Sequence, residues 1–181
     1  MSTPTMIILL LVVCILAAVI WSIKTVNRFR ENEIRIDEGI SGIEVALTKR
    51  YDMLTKLLDA SRSYMAHEKE LFAQVVNLRQ GMNIKELQEA DSKISSISGR
   101  LFAVAENYPE LRSSEVFLEL QRGIREAEES LQAARRVYNS GVTRYNTSIA
   151  VFPASLLAGG RQPKDFFVAD EAKRADVKIS F

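Results

Sequence analysis

FLELQRGIREAEESLQAARRVYNSGVTRYNTSIAVF, residues 117–152, decides the fold class. Its apolar positions begin Phe117, Leu120, Ile124, Ala127, Leu131, Ala134 and Tyr138, stepping three and four alternately. That is the period of a helix with one buried stripe. The next heptad position, 141, is a glycine, and the series resumes at Val142, Tyr145, Ile149 and Phe152. Two consecutive steps of four are an inserted stutter, which locally unwinds a supercoil. The pair Tyr138-Asn139 recurs as Tyr145-Asn146 seven residues later, and Phe152 falls on the same stripe. Buried phenols and amides need hydrogen-bond partners. The plainest expectation is core tyrosines with the asparagines turned to solvent. Local polar clusters that pin helix register, or a face that takes a small ligand, are the alternatives.

The neighbouring segments carry the same period. Ile36, Ile40, Ile43, Leu47, Leu54, Leu58 and Met65 form the seam of a long helix expected from near Asn27 to Leu78, interrupted by Arg50-Tyr51-Asp52. Gly39 and Gly42 are soft points on it, or a place where another helix comes close. QGMNIKEL at 80–87 ends one helix and starts the next. Gly81 suits a left-handed cap, Asn83 with Glu86 spells a capping box, and Met82 with Leu87 a hydrophobic staple. The second helix points Ile84, Leu87, Ile94, Ile97, Leu101 and Val104 inward, and Glu106-Asn107-Tyr108 closes it before Pro109. Ser113 or Ser114 starts the third, and Phe152-Pro153 ends it. Beyond lies a tail with Phe166-Phe167 and an alternating Val177, Ile179, Phe181, too apolar for plain disorder. An irregular arm lying on the bundle or on a neighbouring subunit is expected there.

Charge is partitioned sharply. No Lys, Arg, Asp or Glu precedes Lys24, so all 24 basic and 23 acidic residues lie beyond the leading segment. Residues 6–23, MIILLLVVCILAAVIWSI, contain one polar side chain, Ser22. At 1.5 Å per residue such a helix covers roughly 27 Å, enough to cross a hydrocarbon core. Met6, Ile7, Leu10, Cys14, Ala18 and Ile23 would face lipid, and Trp21 suits the interface. A secretory signal would carry positive charge before its apolar run, and MSTPT at 1–5 carries only the amino terminus. A lipoprotein signal needs a small residue before its cysteine, where Val12-Val13 stands. A retained anchor fits, with Lys24, Arg28 and Arg30 holding their flank in the cytoplasm and a few N-terminal residues outside.

Nothing in the chain spells an active site. HEKEL at 67–71 resembles a zinc-protease helix, but position 71 is leucine and His67 is the one histidine. Cys14 is the sole cysteine, so an intrachain disulfide and a cysteine metal site are excluded. Gly159-Gly160-Arg161 lacks the Lys-Ser or Lys-Thr of a phosphate loop. Glu128-Glu129 beside Arg125 and Arg135 has the pattern of a solvated helix face. The charge balance gives no reason to expect nucleic acid. No catalytic residue, cofactor or metal is expected.

RYDML at 50–54, YMAHE at 64–68, AENYPELRSSEVFLEL at 105–120, ARRVYNSGVTRYN at 134–146 and FPASLLA at 152–158 together resemble the LemA family. Thr55-Lys56 stands where that family often has Pro-Asn. The resemblance implies a bacterial inner-membrane protein with a helical-bundle body, and it carries no biochemical activity. Family members often neighbour membrane metalloproteases, which makes such a protein a possible partner.

The expectation is therefore an all-α chain: a short N-terminus at 1–5, a single transmembrane helix at 6–23 and a basic segment at 24–35. An elongated antiparallel bundle of three long helices follows at 36–153, then an arm at 154–181. The function expected is a non-enzymatic scaffold in the bacterial inner membrane, self-associating as a homo-oligomer on the lipid bilayer. An adaptor for a membrane protease or transporter, or a small-molecule sensor on the Tyr-Asn face, are the alternatives. Structural or interaction roles fall to Arg50, Tyr51, Asp52, Glu106, Asn107, Tyr108, Pro109, Tyr138, Asn139, Tyr145, Asn146, Phe152, Pro153, Phe166 and Phe167.

Overall fold

The computed structural model describes residues 3–72 and 81–168. Among them every regular element is helical: α1 (Thr3–Ser61), α2 (Lys69–Phe72), α3 (Ile84–Ala105), α4 (Pro109–Ser113), α5 (Glu115–Ala150) and a 3-10 turn (Ala154–Leu157). The chain divides into two compact units, Met1–Asp37 with Ser140–Asp165, and Glu38–Asn139 with Phe166–Phe181.

The first unit begins with the apolar run. From Met6 to Ile23 its large side chains are exposed, and α1 is the one described helix long and apolar enough to cross a membrane. Further along α1, Phe29 and Ile36 turn inward with Val142, Tyr145 and Ile149 of α5. Gly141 is buried against Ile36, and Asn32 Nδ2 donates to Ser148 Oγ at 3.4 Å. After the 3-10 turn, Gly159 (φ 57°) and Gly160 (φ 77°) take left-handed backbone and redirect the chain. Arg161 then lies 5.1 Å over the Phe29 ring and pairs with Glu33 at 3.2 Å.

The second unit holds the larger core. Ile43, Leu47, Leu54 and Leu57 of α1, Leu87, Ile94, Ile97 and Leu101 of α3, and Phe117, Ile124 and Leu131 of α5 are buried. Asn83 caps α3 by accepting from Lys85 N and Glu86 N, and the Glu86 carboxylate accepts from Asn83 N at 2.8 Å. Gly81 has φ 75°, the left-handed value its place before the cap calls for. Ser114 Oγ accepts from Phe117 N at 3.3 Å and opens α5. Within this unit α1 and α5 meet at Gly39 with Tyr138, Gly42 with Ala134, and Met53 with Gly123, so numbers rise on one helix as they fall on the other.

Three expectations are corrected. The helix expected to reach Leu78 stops at Ser61, and α2 follows separately; residues 73–80 lie outside the described residues. No glycine or proline marks that stop. Met65 and Leu71 are drawn into the core at 0% and 2% exposure, so packing overrides local propensity. Where Leu58 was expected inward, Leu57 is fully buried and Leu58 half-buried, because 43, 47, 50, 54 and 57 are the positions that share one face. Phe152, expected on the inward stripe, is 75% exposed: α5 ends at Ala150, before that stripe reaches it. After the expected stutter Tyr138, Val142, Tyr145 and Ile149 are buried in steps of four, three and four. The alternating Val177, Ile179 and Phe181 lie outside the described residues.

Candidate functional site

Buried charge is the most unusual feature of the second unit. Arg50 of α1, Asp91 of α3 and Arg135 of α5 are 6%, 9% and 7% exposed. Arg50 Nη1 donates to Asp91 Oδ1 at 2.7 Å, Arg135 Nη2 donates to Asp91 Oδ2, and Glu128 Oε2 lies 2.7 Å from Arg50 Nη1. Two guanidiniums thus meet two carboxylates, and the charges cancel. Arg135 also lies 4.8 Å over the ring of Phe167, itself 3% exposed. Among the described residues, Nε of both arginines makes no hydrogen bond, and Oε2 of Glu128 makes only its ion pair with Arg50. Both Asp91 oxygens are engaged by guanidiniums of neighbouring helices. The geometry is that of a tie joining three helices.

The sequence pointed to Arg50 but missed its partners. Glu128 and Arg135 are not part of a solvated face as expected: Arg135 is buried and Glu128 half-buried, whereas Arg125 and Glu129 of that set are exposed. A signal was available. Asp91 stands between Leu87 and Ile94, and Arg135 between Leu131 and Tyr138, at seam positions where a lone charge demands a partner. Tyr51 is half-buried and Asp52 exposed, so neither joins Arg50 in the tie. Glu106 and Asn107 are exposed where α3 ends, and Tyr108 precedes Pro109, the first residue of α4.

The Tyr-Asn repeat resolves into two devices of one kind. Both tyrosines are buried, Tyr138 at 3% and Tyr145 at 2% exposure. The asparagines do not turn to solvent. In the second unit Asn139 Nδ2 donates to Phe167 O at 2.9 Å, and its Oδ1 accepts from Phe167 N at 2.8 Å. In the first unit Asn146 Nδ2 donates to Lys164 O at 3.0 Å, and its Oδ1 accepts from Lys164 N at 2.8 Å. Each amide satisfies both polar groups of one backbone residue, as a neighbouring strand would. Phe167 is buried by its clamp, while Phe166 stays 43% exposed. Near the second clamp, burial and the Glu33 charge push the Tyr145 phenol above its ordinary value. Burial raises the Glu33 carboxyl, yet hydrogen bonds from Arg30 and Arg161 hold it below its ordinary value.

The first unit also contains an open cleft of about 630 Å³. Trp21, Arg28, Arg35, Arg144, Val151 and Phe152 are among its lining residues. All six are exposed, and Glu31 is the carboxylate in the same lining. Elsewhere His67 is exposed, and among the described residues His, Cys, Asp and Glu gather nowhere in threes.

Comparison with known proteins bears on most of the chain. The model of the LemA family matches residues 39–181. Protein LemA of Metamycoplasma hominis is 28% identical over 164 residues, 85% of this chain and 74% of that protein. Magnetosome protein MamQ 2 of Paramagnetospirillum magneticum is 32% identical over 74 residues, which span 41% of this chain and 27% of the relative. Magnetosome protein MamQ of Magnetospirillum gryphiswaldense is 28% identical over the same length.

Proposed function

Since the chain belongs to the LemA family, we propose that it is a membrane-anchored, non-enzymatic scaffold that self-associates in the bacterial inner membrane. One observation carries this reading: the exposed apolar run 6–23 and the buried seam 43–57 belong to a single unbroken helix. In water the run would expose a long apolar surface, and a bilayer removes it. Lys24, Arg28 and Arg30 follow directly, and a basic flank of this kind supports a body on the cytoplasmic side. The body is then an antiparallel three-helix bundle of α1, α3 and α5, supported by the opposed contacts of α1 with α5 and by the Arg50–Asp91–Arg135 tie. Every copy enters the membrane in one orientation, so copies meet side by side and present like surfaces.

The sensor reading loses its motive, because the amides of the Tyr-Asn face are already occupied by the chain's own backbone. Assembly is tested by sizing the full chain in mild detergent at micromolar concentration, together with cross-linking in intact membranes. Species well above a monomer are expected. A monomer that co-purifies with one stoichiometric membrane protein would overturn the scaffold in favour of an adaptor.

A further inference from the structure

The cleft of the first unit lies where the apolar run of α1 ends. Trp21, the last large ring of that run, lines it, and Arg28 follows two helical turns later. Two turns advance about 10 Å, the distance over which a chain leaves the hydrocarbon core and crosses the headgroup layer. Arg35 and Arg144 line the same space further along. Among the described residues these three guanidiniums make no ion pair, whereas Arg30 is paired with Glu33 at 3.1 Å and Arg161 with Glu33 at 3.2 Å. With Glu31 as the opposing carboxylate, three cations less one anion leave the cleft about two charges positive. Its mouth is apolar: Val151 and Phe152 are 53% and 75% exposed, and Leu156 beyond them is 75% exposed. Free phosphate has no use for such a rim. A phospholipid has both parts, an anionic headgroup for the arginines and acyl chains for the rim.

We infer that this cleft is a binding site for the headgroup of an anionic phospholipid, with Arg28, Arg35 and Arg144 on the phosphate and Phe152 and Leu156 dipped into the interface. Guanidinium suits this task because its planar fork meets two phosphate oxygens at once. The inference rests on the reading of residues 6–23 as a membrane anchor.

The test uses the full chain in non-ionic detergent, titrated with phosphatidylglycerol or phosphatidylcholine, with occupancy read by native mass spectrometry. Saturable retention of phosphatidylglycerol is expected, with phosphatidylcholine retained far more weakly. Each basic residue near an anionic surface contributes roughly five-fold, so Arg28→Gln combined with Arg144→Gln should weaken retention about 25-fold. Arg122→Gln with Arg125→Gln, exposed on α5 in the other unit, should leave it unchanged. Equal retention of the two lipids, or equal loss in both double variants, overturns the site. Competition by millimolar inorganic phosphate overturns the lipid as its occupant. Alkaline carbonate extraction of native membranes reads the anchor separately. Release of the chain defeats the anchor reading, whereas lost lipid selectivity in a chain that stays in the membrane defeats the cleft alone.

Discussion

Replacing Asp91 by alanine tests the buried tie. The two arginines it holds are 6% and 7% exposed, so neither reaches bulk water when the carboxylate goes. Arg50 keeps Glu128 at 2.7 Å, but Arg135 is left with the Phe167 ring at 4.8 Å. Breaking a buried pair by removing one partner costs about 3–5 kcal/mol. With Arg50 still compensated, Asp91→Ala should fall near the lower end, about 3 kcal/mol. For a urea dependence of about 2 kcal/mol per molar, the unfolding midpoint of the full chain in detergent should fall by about 1.5 M. Glu128→Gln should cost only about 1 kcal/mol, because its side chain is 27% exposed and Asp91 remains on Arg50. The decisive variant is Arg50→Met, Asp91→Leu and Arg135→Met together. If the cost of Asp91→Ala is uncompensated charge rather than a lost attraction, this apolar trio should recover most of the loss. A fall below about 1 kcal/mol for Asp91→Ala would show that the arginines find water. A trio as unstable as the single variant would show that the attraction itself was the larger effect.

Gly39→Ala would place a Cβ 2.9 Å from the Tyr138 backbone Cα, which cannot swing aside, whereas Gly42→Ala meets Ala134 Cβ at 3.7 Å. The first should destabilise by about 1–2 kcal/mol and the second should be neutral or gain up to about 1 kcal/mol; equal thermal midpoints would contradict the close approach. Asn139→Leu and Asn146→Leu each remove two hydrogen bonds to backbone, about 1–2 kcal/mol apiece. Amide exchange should accelerate at Phe167 in the first variant and at Lys164 in the second; unchanged rates at both would sink the clamps. Because the folded Glu33 carboxyl lies below its ordinary value, its stabilising contribution is present above that ordinary value and lost as pH falls through the lower one. Acidification from about pH 5 should lower the melting midpoint, and Glu33→Gln should flatten that part of the profile; an unchanged slope would rule Glu33 out.

Local chemistry is what the sequence exposes well. The Asn83 and Glu86 box, the left-handed Gly81 and the Ser114 cap all lie within a few residues of their partners, so the chain spells them out. The burial of Tyr138, Val142, Tyr145 and Ile149 was equally legible, since burial follows the period of one helix. The tie is different: Arg50 and Asp91 are 41 residues apart, and Asp91 and Arg135 are 44. Only the misplaced charge is visible locally, and which opposite charge answers it depends on how helices pack. The stop at Ser61 was hidden for a related reason, because Met65 and Leu71 keep an apolar rhythm that a continuing helix would also show. Exposure of Phe152 follows from where α5 ends, just short of the position a longer helix would have buried.

The repeat of tyrosine with asparagine does the same work once in each unit. Asn139 holds the backbone of Phe167 in one, and Asn146 holds the backbone of Lys164 in the other. Asparagine suits the position because its carboxamide carries a donor and an acceptor side by side, the complement of one peptide unit. The tyrosine before it, about 100° round the helix, points to the core while the amide points to the returning chain. The pair recurs as a pair because each turn must do both jobs: bury a ring and hold a backbone.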